Sequence, residues 1–390
     1  MKKLQFGPDK CHKMHIGKKT SYCPELQIDS WKVETKSEFE INKDELSDVF
    51  EGAIDMDDSD EERYLGDLIT SDGSNKTNIH SRKAKGFGII DKIVSMLEEI
   101  SFGPNYFEIA ILLRSSLFIS SILVNSEVWY GLTLSEIEQL EIVDQALLKK
   151  ILEAPSSTPS VGLYLDLGCL PIRFIIKARR IMFLHTILKQ DEKSLVHRFF
   201  KAQLENPSKG DWSLQVAKDL GEIDLALSLD EIKDLSVESF RTKVRKAVND
   251  AAFKWLLNEK KDKSKVMEIE YQSLKIQEYL VSSNLETREK KFLFQLRMRM
   301  IDVKINYRSS HADISCPLCK DAEDSQQHVL KCPLLATNQM VLVNSGIAYN
   351  QIYQDDVKNN LKLQEFSWIY GKSEKRRSKS DVTANVAQVI

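Results

Sequence analysis

Apolar positions along the chain recur mostly at the three-and-four spacing of amphipathic helices. Residues 76–100 carry Ile79, Ala84, Phe87, Ile90, Ile93, Val94 and Leu97 in that rhythm and predict one helix. Pro104 opens a second, which runs to about Trp129. Ser135 followed by Glu138 fits a capping box, the start of a helix through Ile151 with Ile137, Leu140, Val143, Leu147 and Ile151 on one face. The run Ala154-Pro-Ser-Ser-Thr-Pro-Ser160 stops that helix and makes a linker. Gly168 ends a short helix, and Pro171 suits the first turn of the next, which extends to about Lys189. Further helices are expected at about 194–205, 236–259, 264–281 and 286–305. Strand character is confined to the N-terminal end. Residues 11–17, CHKMHIG, alternate weakly, and residues 63–72, RYLGDLITSD, favour β structure and end in the turn Ser71-Asp72-Gly73-Ser74.

Composition narrows the class. The 390 residues are 42% hydrophobic and 29% charged, which excludes a mostly disordered chain and suits two or three folded domains. The N-terminus is basic but has no apolar stretch behind it, so it does not read as a signal peptide. The longest apolar stretch, residues 109–124, is cut by Arg114 and several serines and reads as a buried helix rather than a membrane span. These features point to a nuclear or cytoplasmic chain that is neither secreted nor membrane-inserted.

With 55 basic and 58 acidic residues the net charge is −3, which argues against a uniformly basic nucleic-acid binder. Residues 41–62 change that picture, because they hold ten acids and one lysine. The remainder has 54 basic and 48 acidic residues, a net charge of +6. The acidic stretch reads as a solvated insert. Met56-Asp57-Asp58 within it looks like a polymerase aspartate pair, but acids flank it on both sides and no apolar hairpin supports it, so it is not read as catalytic.

Six cysteines are too sparse for a disulfide framework. Three of them belong to Cys316-Pro-Leu-Cys319, followed after eight residues by His328 and after three more by Cys332. The first pair suits a knuckle turn that bends two thiolates toward one ion. His328 and Cys332, four apart, share one helix face. Three thiolates and an imidazole suit a tetrahedral, closed-shell Zn²⁺, a structural site rather than a catalytic one. Cys11, His12, His15 and Cys23 form a weaker group and are read as core or surface residues; Cys169 is expected as a small buried residue.

Two basic stretches stand out. Residues 287–308 contain seven Lys/Arg and two acids. Phe292, Leu293, Leu296, Met300 and Val303 build an apolar face, and Lys290, Arg297 and Lys304 recur at sevenfold spacing beside it, with Lys291 and Arg299 between. Such a stripe either tracks phosphates or is an ordinary solvated helix face. Arg173, Lys177, Arg179 and Arg180 make a smaller cluster after Pro171.

Several blocks, in order, resemble the C-terminal half of the reverse transcriptase of non-LTR (LINE-type) retrotransposons. KCHKMHIG (residues 10–17) resembles the segment just after that family's catalytic aspartates. Tyr64-Leu65-Gly66 resembles its primer-grip hairpin, residues 112–152 its helical thumb, and residues 164–188 and 292–304 its downstream linker. CPLC…HVLKC resembles its C-terminal CCHC finger, although relatives often have four residues between His and Cys where this chain has three. The family's fingers and palm would precede Met1, so no residue here matches the polymerase aspartates, and no polymerase activity is expected of this chain. The resemblance implies that the chain is a fragment of a retrotransposon polyprotein, a degenerate copy or a truncated gene model.

The resulting expectation is a mainly α fold with a small β remnant and a zinc knuckle. It divides into a primer-grip remnant (1–74), a thumb-like domain (75–153), a helical linker (160–310), the knuckle (311–336) and a partly disordered tail (337–390) with a basic run at residues 372–380. The partners implied are RNA or DNA, with no membrane and no small-molecule substrate. A zinc-knuckle scaffold for protein partners is the alternative.

Overall fold

The computed structural model describes residues 27–28, 31–32, 60–64, 66–100, 103, 105–301, 303–306, 313–316, 319–329 and 332–333. The strand expected at residues 11–17, the cluster Cys11, His12, His15 and Cys23, the pair Asp57-Asp58 and the basic tail lie outside them. The described residues are mainly helical, as the periodicity requires. Strands are short: β1 (Gln27–Ile28) pairs antiparallel with β2 (Trp31–Lys32), and β3 (Glu61–Tyr64) with β4 (Asp67–Thr70). In the second hairpin Tyr64 faces Asp67 across a turn that needs a left-handed residue, which Gly66 supplies at φ 92°.

The chain divides into two compact units, Met1–Ser81 and Arg82–Ile390. In the first, Asn78 joins the β3–β4 hairpin to the start of α1 (Lys76–Glu99). Its side-chain oxygen accepts from the Leu68 N–H at 3.3 Å, and its amide donates to Asp67 at 3.0 Å.

The second unit is a helical body. After α1 come α2 (Tyr106–Leu113), a π-helical turn (Arg114–Ile119) and α3 (Ser120–Ile122), then α4 (Leu134–Leu152) and α5 (Ser160–Leu167). The second predicted helix therefore ends before Trp129. The capping box is also corrected: Thr133 caps α4, accepting from the Glu136 N–H while Glu136 reaches back, not Ser135 with Glu138. Both pairs fit the same motif, and the earlier one wins because it leaves Leu134 outside the core and Leu140, Val143 and Leu147 inside.

The body continues with α6 (Ile172–Lys189), α7 (Leu195–Glu205), α8 (Trp212–Glu222), α9 (Leu229–Asp234) and α10 (Val237–Lys261). It ends with α11 (Glu278–Val281), α12 (Thr287–Arg297) and α13 (Gln326–Val329). α6 is the central rod, packing on α4, α7, α8, α9 and α10, and α5 lies against α4 and α10. Pro171 is the N-cap residue just before α6, and Gly168 ends α5 in the left-handed conformation as expected. α8 and α9 go beyond the expected helices, because Pro207 and Gly210 mask the short periodic runs that follow them.

The helix expected over residues 264–281 is not formed. Only α11 is helical there; the rest crosses α5 as an irregular strap, with Leu167 and Ile276 in a β-bridge. Val266, Ile269 and Leu274 are buried, so the apolar rhythm is real but serves packing of a segment of turns and irregular chain. The helix expected over 286–305 stops at Met298, because Arg299 turns left-handed at φ 52°. No helix among the described residues is long and apolar enough to cross a membrane.

Candidate metal centre and the predicted basic residues

The knuckle forms where the sequence places it. Ser315 and Glu323 make an antiparallel bridge, and the Cys316 N–H donates to the Ala322 carbonyl at 2.7 Å. The Lys320 N–H donates back to the Cys316 carbonyl at 3.1 Å, closing the turn with Lys320 left-handed at φ 61°. α13 carries His328, whose own N–H is capped by the Ser325 hydroxyl at 3.1 Å.

The ligand atoms of Cys316, Cys319, His328 and Cys332 all lie within 4.8 Å of one another. Cys316 and Cys332 Sγ are 4.0 Å apart, and Cys319 Sγ is 3.2 Å from His328 Nε2. Zinc–sulfur bonds of about 2.3 Å at tetrahedral angles put sulfurs about 3.8 Å apart, so the group fits one four-coordinate ion. Burial opposes the Cys319 thiolate, but hydrogen bonds from the Asp321 N–H and from its cysteine neighbours hold its pKa below the ordinary value. The four side chains can hold a metal ion; their softness and number favour zinc.

The knuckle is fastened to the body by polar ties the sequence did not reveal. Gln326 donates to the Leu296 carbonyl at the end of α12 at 2.8 Å. Asp324 accepts from the Lys304 N–H at 2.9 Å, and its carbonyl accepts from the Ile305 N–H at 3.1 Å.

The stripe predicted over residues 287–308 is corrected. Every residue of α12 from Glu289 to Arg297 is buried. Lys290 is fully enclosed, and burial lowers its pKa against the pull of Glu108. Lys291 pairs with Glu153 at 2.7 Å and lies over the Tyr106 ring. Arg297 donates to Asp166 at 3.2 Å, Arg299 pairs with Glu268, and Lys304 donates to the Ser315 carbonyl at 2.8 Å. The smaller cluster turns inward as well. Arg173 grips Glu141 through two bonds of 2.9 and 2.7 Å and stacks on Trp255. Lys177 pairs with Glu222, and Arg180 with Asp219 at 2.9 Å. Seven-residue spacing does not carry Lys304 onto the face of Lys290 and Arg297, because α12 ends at Arg297. Nor could it reveal that acids distant in sequence meet Lys291 and Arg297 inside the fold.

The centre of this charge network is Asp166, which is completely buried on α5. It accepts hydrogen bonds from Tyr271 at 2.6 Å, Tyr279 at 2.5 Å and Arg297. Burial works against the Arg297 charge, but Asp166 keeps its pKa above the ordinary value. The two phenols are pushed well upward by burial first and then by the same carboxylate. Arg114 binds Asp144 through both oxygens at 2.7 and 2.6 Å, with Tyr164 donating to that carboxylate at 3.1 Å. Cys169 is buried, as expected.

Of the primer-grip-like residues, Tyr64 is exposed and Gly66 forms the hairpin turn; Leu65 lies outside the described residues. Comparison with family models, with curated proteins and with solved structures gives no match.

Proposed function

We propose that the chain is a nucleic-acid-binding helical module held in part by a structural Zn²⁺, corresponding to the C-terminal half of a LINE-type retrotransposon reverse transcriptase. The observation that carries this reading is the convergence of Cys316, Cys319, His328 and Cys332, placed immediately after the block that resembles the family's linker. The ordered succession of primer-grip, thumb, linker and finger blocks supports it. In an intact enzyme of that kind these parts would hold the primer–template duplex and position RNA and target DNA. Binding rather than synthesis is assigned to this chain, because no residue in it matches the polymerase aspartates.

The purified chain should contain one zinc per molecule and bind single-stranded RNA with an affinity that falls steeply as salt rises. Absence of binding, or binding indifferent to salt, would overturn the reading, as would template-directed nucleotide incorporation. One observation favours a protein-binding scaffold as the second reading: Leu195, Val196 and Phe199 stand exposed together on α7, Phe199 at 65%.

A further inference from the structure

The cations that the sequence singled out are buried or engaged by other residues of the chain; an exposed row lies elsewhere. α10, with 25 residues, is the longest helix described and carries seven Lys/Arg against three acids. Phe240, Val244, Val248, Ala252 and Leu256 anchor its inner side. At 3.6 residues per turn, Lys243, Lys254 and Lys261 fall on one line of the outer side, with Lys246 beside it. All four are exposed, and among the described residues none of them is in an ion pair. Asp250 is the one acid on that line. From Lys243 to Lys261 the row extends about 27 Å at 1.5 Å per residue.

Helix stability does not account for this placement. Arg241 with Arg245, and Lys243 with Lys246, are like charges four and three apart, which oppose the helix. Asp250 lies four residues from both Lys246 and Lys254 and Glu238 pairs with Arg241, which leaves Lys243 and Lys261 without an acid three or four residues away on the helix. Nor does packing account for it, since these side chains face away from the core. An external polyanion would relieve the repulsion, and the rigid, core-anchored helix holds the charges ready for it.

The geometry points to this lysine row as a docking surface for the phosphate backbone of a nucleic acid, and the assignment rests on the nucleic-acid reading above. Lysines are point charges suited to sequence-independent phosphate contact. A length of about 27 Å matches roughly eight phosphates at 3.4 Å per nucleotide along one strand.

The test uses the full chain, a labelled single-stranded RNA and a salt titration. In K243Q/K246Q/K254Q/K261Q the slope of log affinity against log salt should become shallower by about 2.8, four contacts at about 0.7 each. Between 50 and 200 mM salt this removes a roughly 50-fold dependence. K85Q/K92Q/K189Q/K193Q removes the same charge from other exposed positions and should leave the slope nearly unchanged. Neither variant should lower the urea midpoint, because every position is exposed and the row variant also removes like-charge repulsion. If native protein binds RNA and both variants behave alike, the row is not the surface, while the nucleic-acid reading stands. If native protein does not bind RNA, both fall. If the first variant loses only binding to phosphatidylserine vesicles and keeps its RNA slope, the row serves an anionic surface of another kind and the assignment is overturned.

Discussion

Asp166 sits in the run VGLYLDLGCL, where every neighbour is apolar or small. A lone carboxylate in such company has to be buried and partnered, and that signal is legible in the amino-acid sequence alone. Its partners are not, because Tyr271, Tyr279 and Arg297 lie more than a hundred residues away. Together they make Asp166 the point at which α5, the strap before α11 and α12 are joined. D166N preserves shape but leaves the Arg297 guanidinium buried without a counter-charge. Removing one partner of such a pair costs about 3–5 kcal/mol. Urea unfolding should show a loss of that size in D166N. Adding R297M should recover part of it, the remainder being the orphaned tyrosine hydroxyls. A D166N chain within about 1 kcal/mol of native, the worth of an ordinary hydrogen bond, would show that the network is not holding these elements.

Helices are legible wherever periodicity and punctuation agree. α6, α7 and α10 fall within a residue or two of their expected bounds, and Gly168 ends α5. Expectation fails where tertiary contact overrides pattern. The strap over residues 264–277 buries a helical rhythm in turns and irregular chain, and α12 ends just before a left-handed Arg299 that no local signal announces. Glycines show the same divide. Gly168, at φ +63°, is so close to the strap that an added Cβ would sit 2.7 Å from Lys275 Cα, a contact that only backbone movement could relieve. Gly88 lies in mid-helix on α1 with nothing within 4 Å of that position. The sequence presents both as bare glycine, but the substitutions should have opposite signs. G88A should stabilise by about 0.5–1 kcal/mol through helix propensity. G168A combines a left-handed φ that is disfavoured once a Cβ is present with a backbone clash, and should destabilise by several times that, about 3 kcal/mol or more. Urea midpoints of the two variants check this directly; equal midpoints would mean that the strap does not press on the end of α5.

At the scale of the molecule, the uneven charge has a structural meaning that composition could not give. Arg114, Arg173, Lys177, Arg180, Lys291 and Arg297 each face an acid across the body, so these cations are cancelled there and the basic excess outside the acidic insert comes from other positions. Metal ligation is legible because its spacing is local, whereas ion pairing is not, because its partners are remote. This difference also predicts how the parts separate. Among its described residues the knuckle has one four-residue helix and one isolated bridge, too little to be stable in water unless a metal holds it. Among the described residues its polar ties to the body are the hydrogen bonds of Gln326, Asp324 and Lys304 and the ion pair of Lys304 with Asp313. The body has its own core around α6, in which Ile172, Ile176, Ile181 and Leu184 are buried and which packs on α4, α7, α8, α9 and α10. Chelation should therefore open the knuckle and leave the body folded. In hydrogen exchange, the amides of Cys316, Asp324 and His328 should lose protection on treatment with a chelator and regain it with added Zn²⁺, while those of α6 stay unchanged. Loss of protection throughout α6 would mean instead that the metal stabilises the whole helical unit, and that the few hydrogen bonds at Leu296 and Lys304 transmit far more than their number suggests.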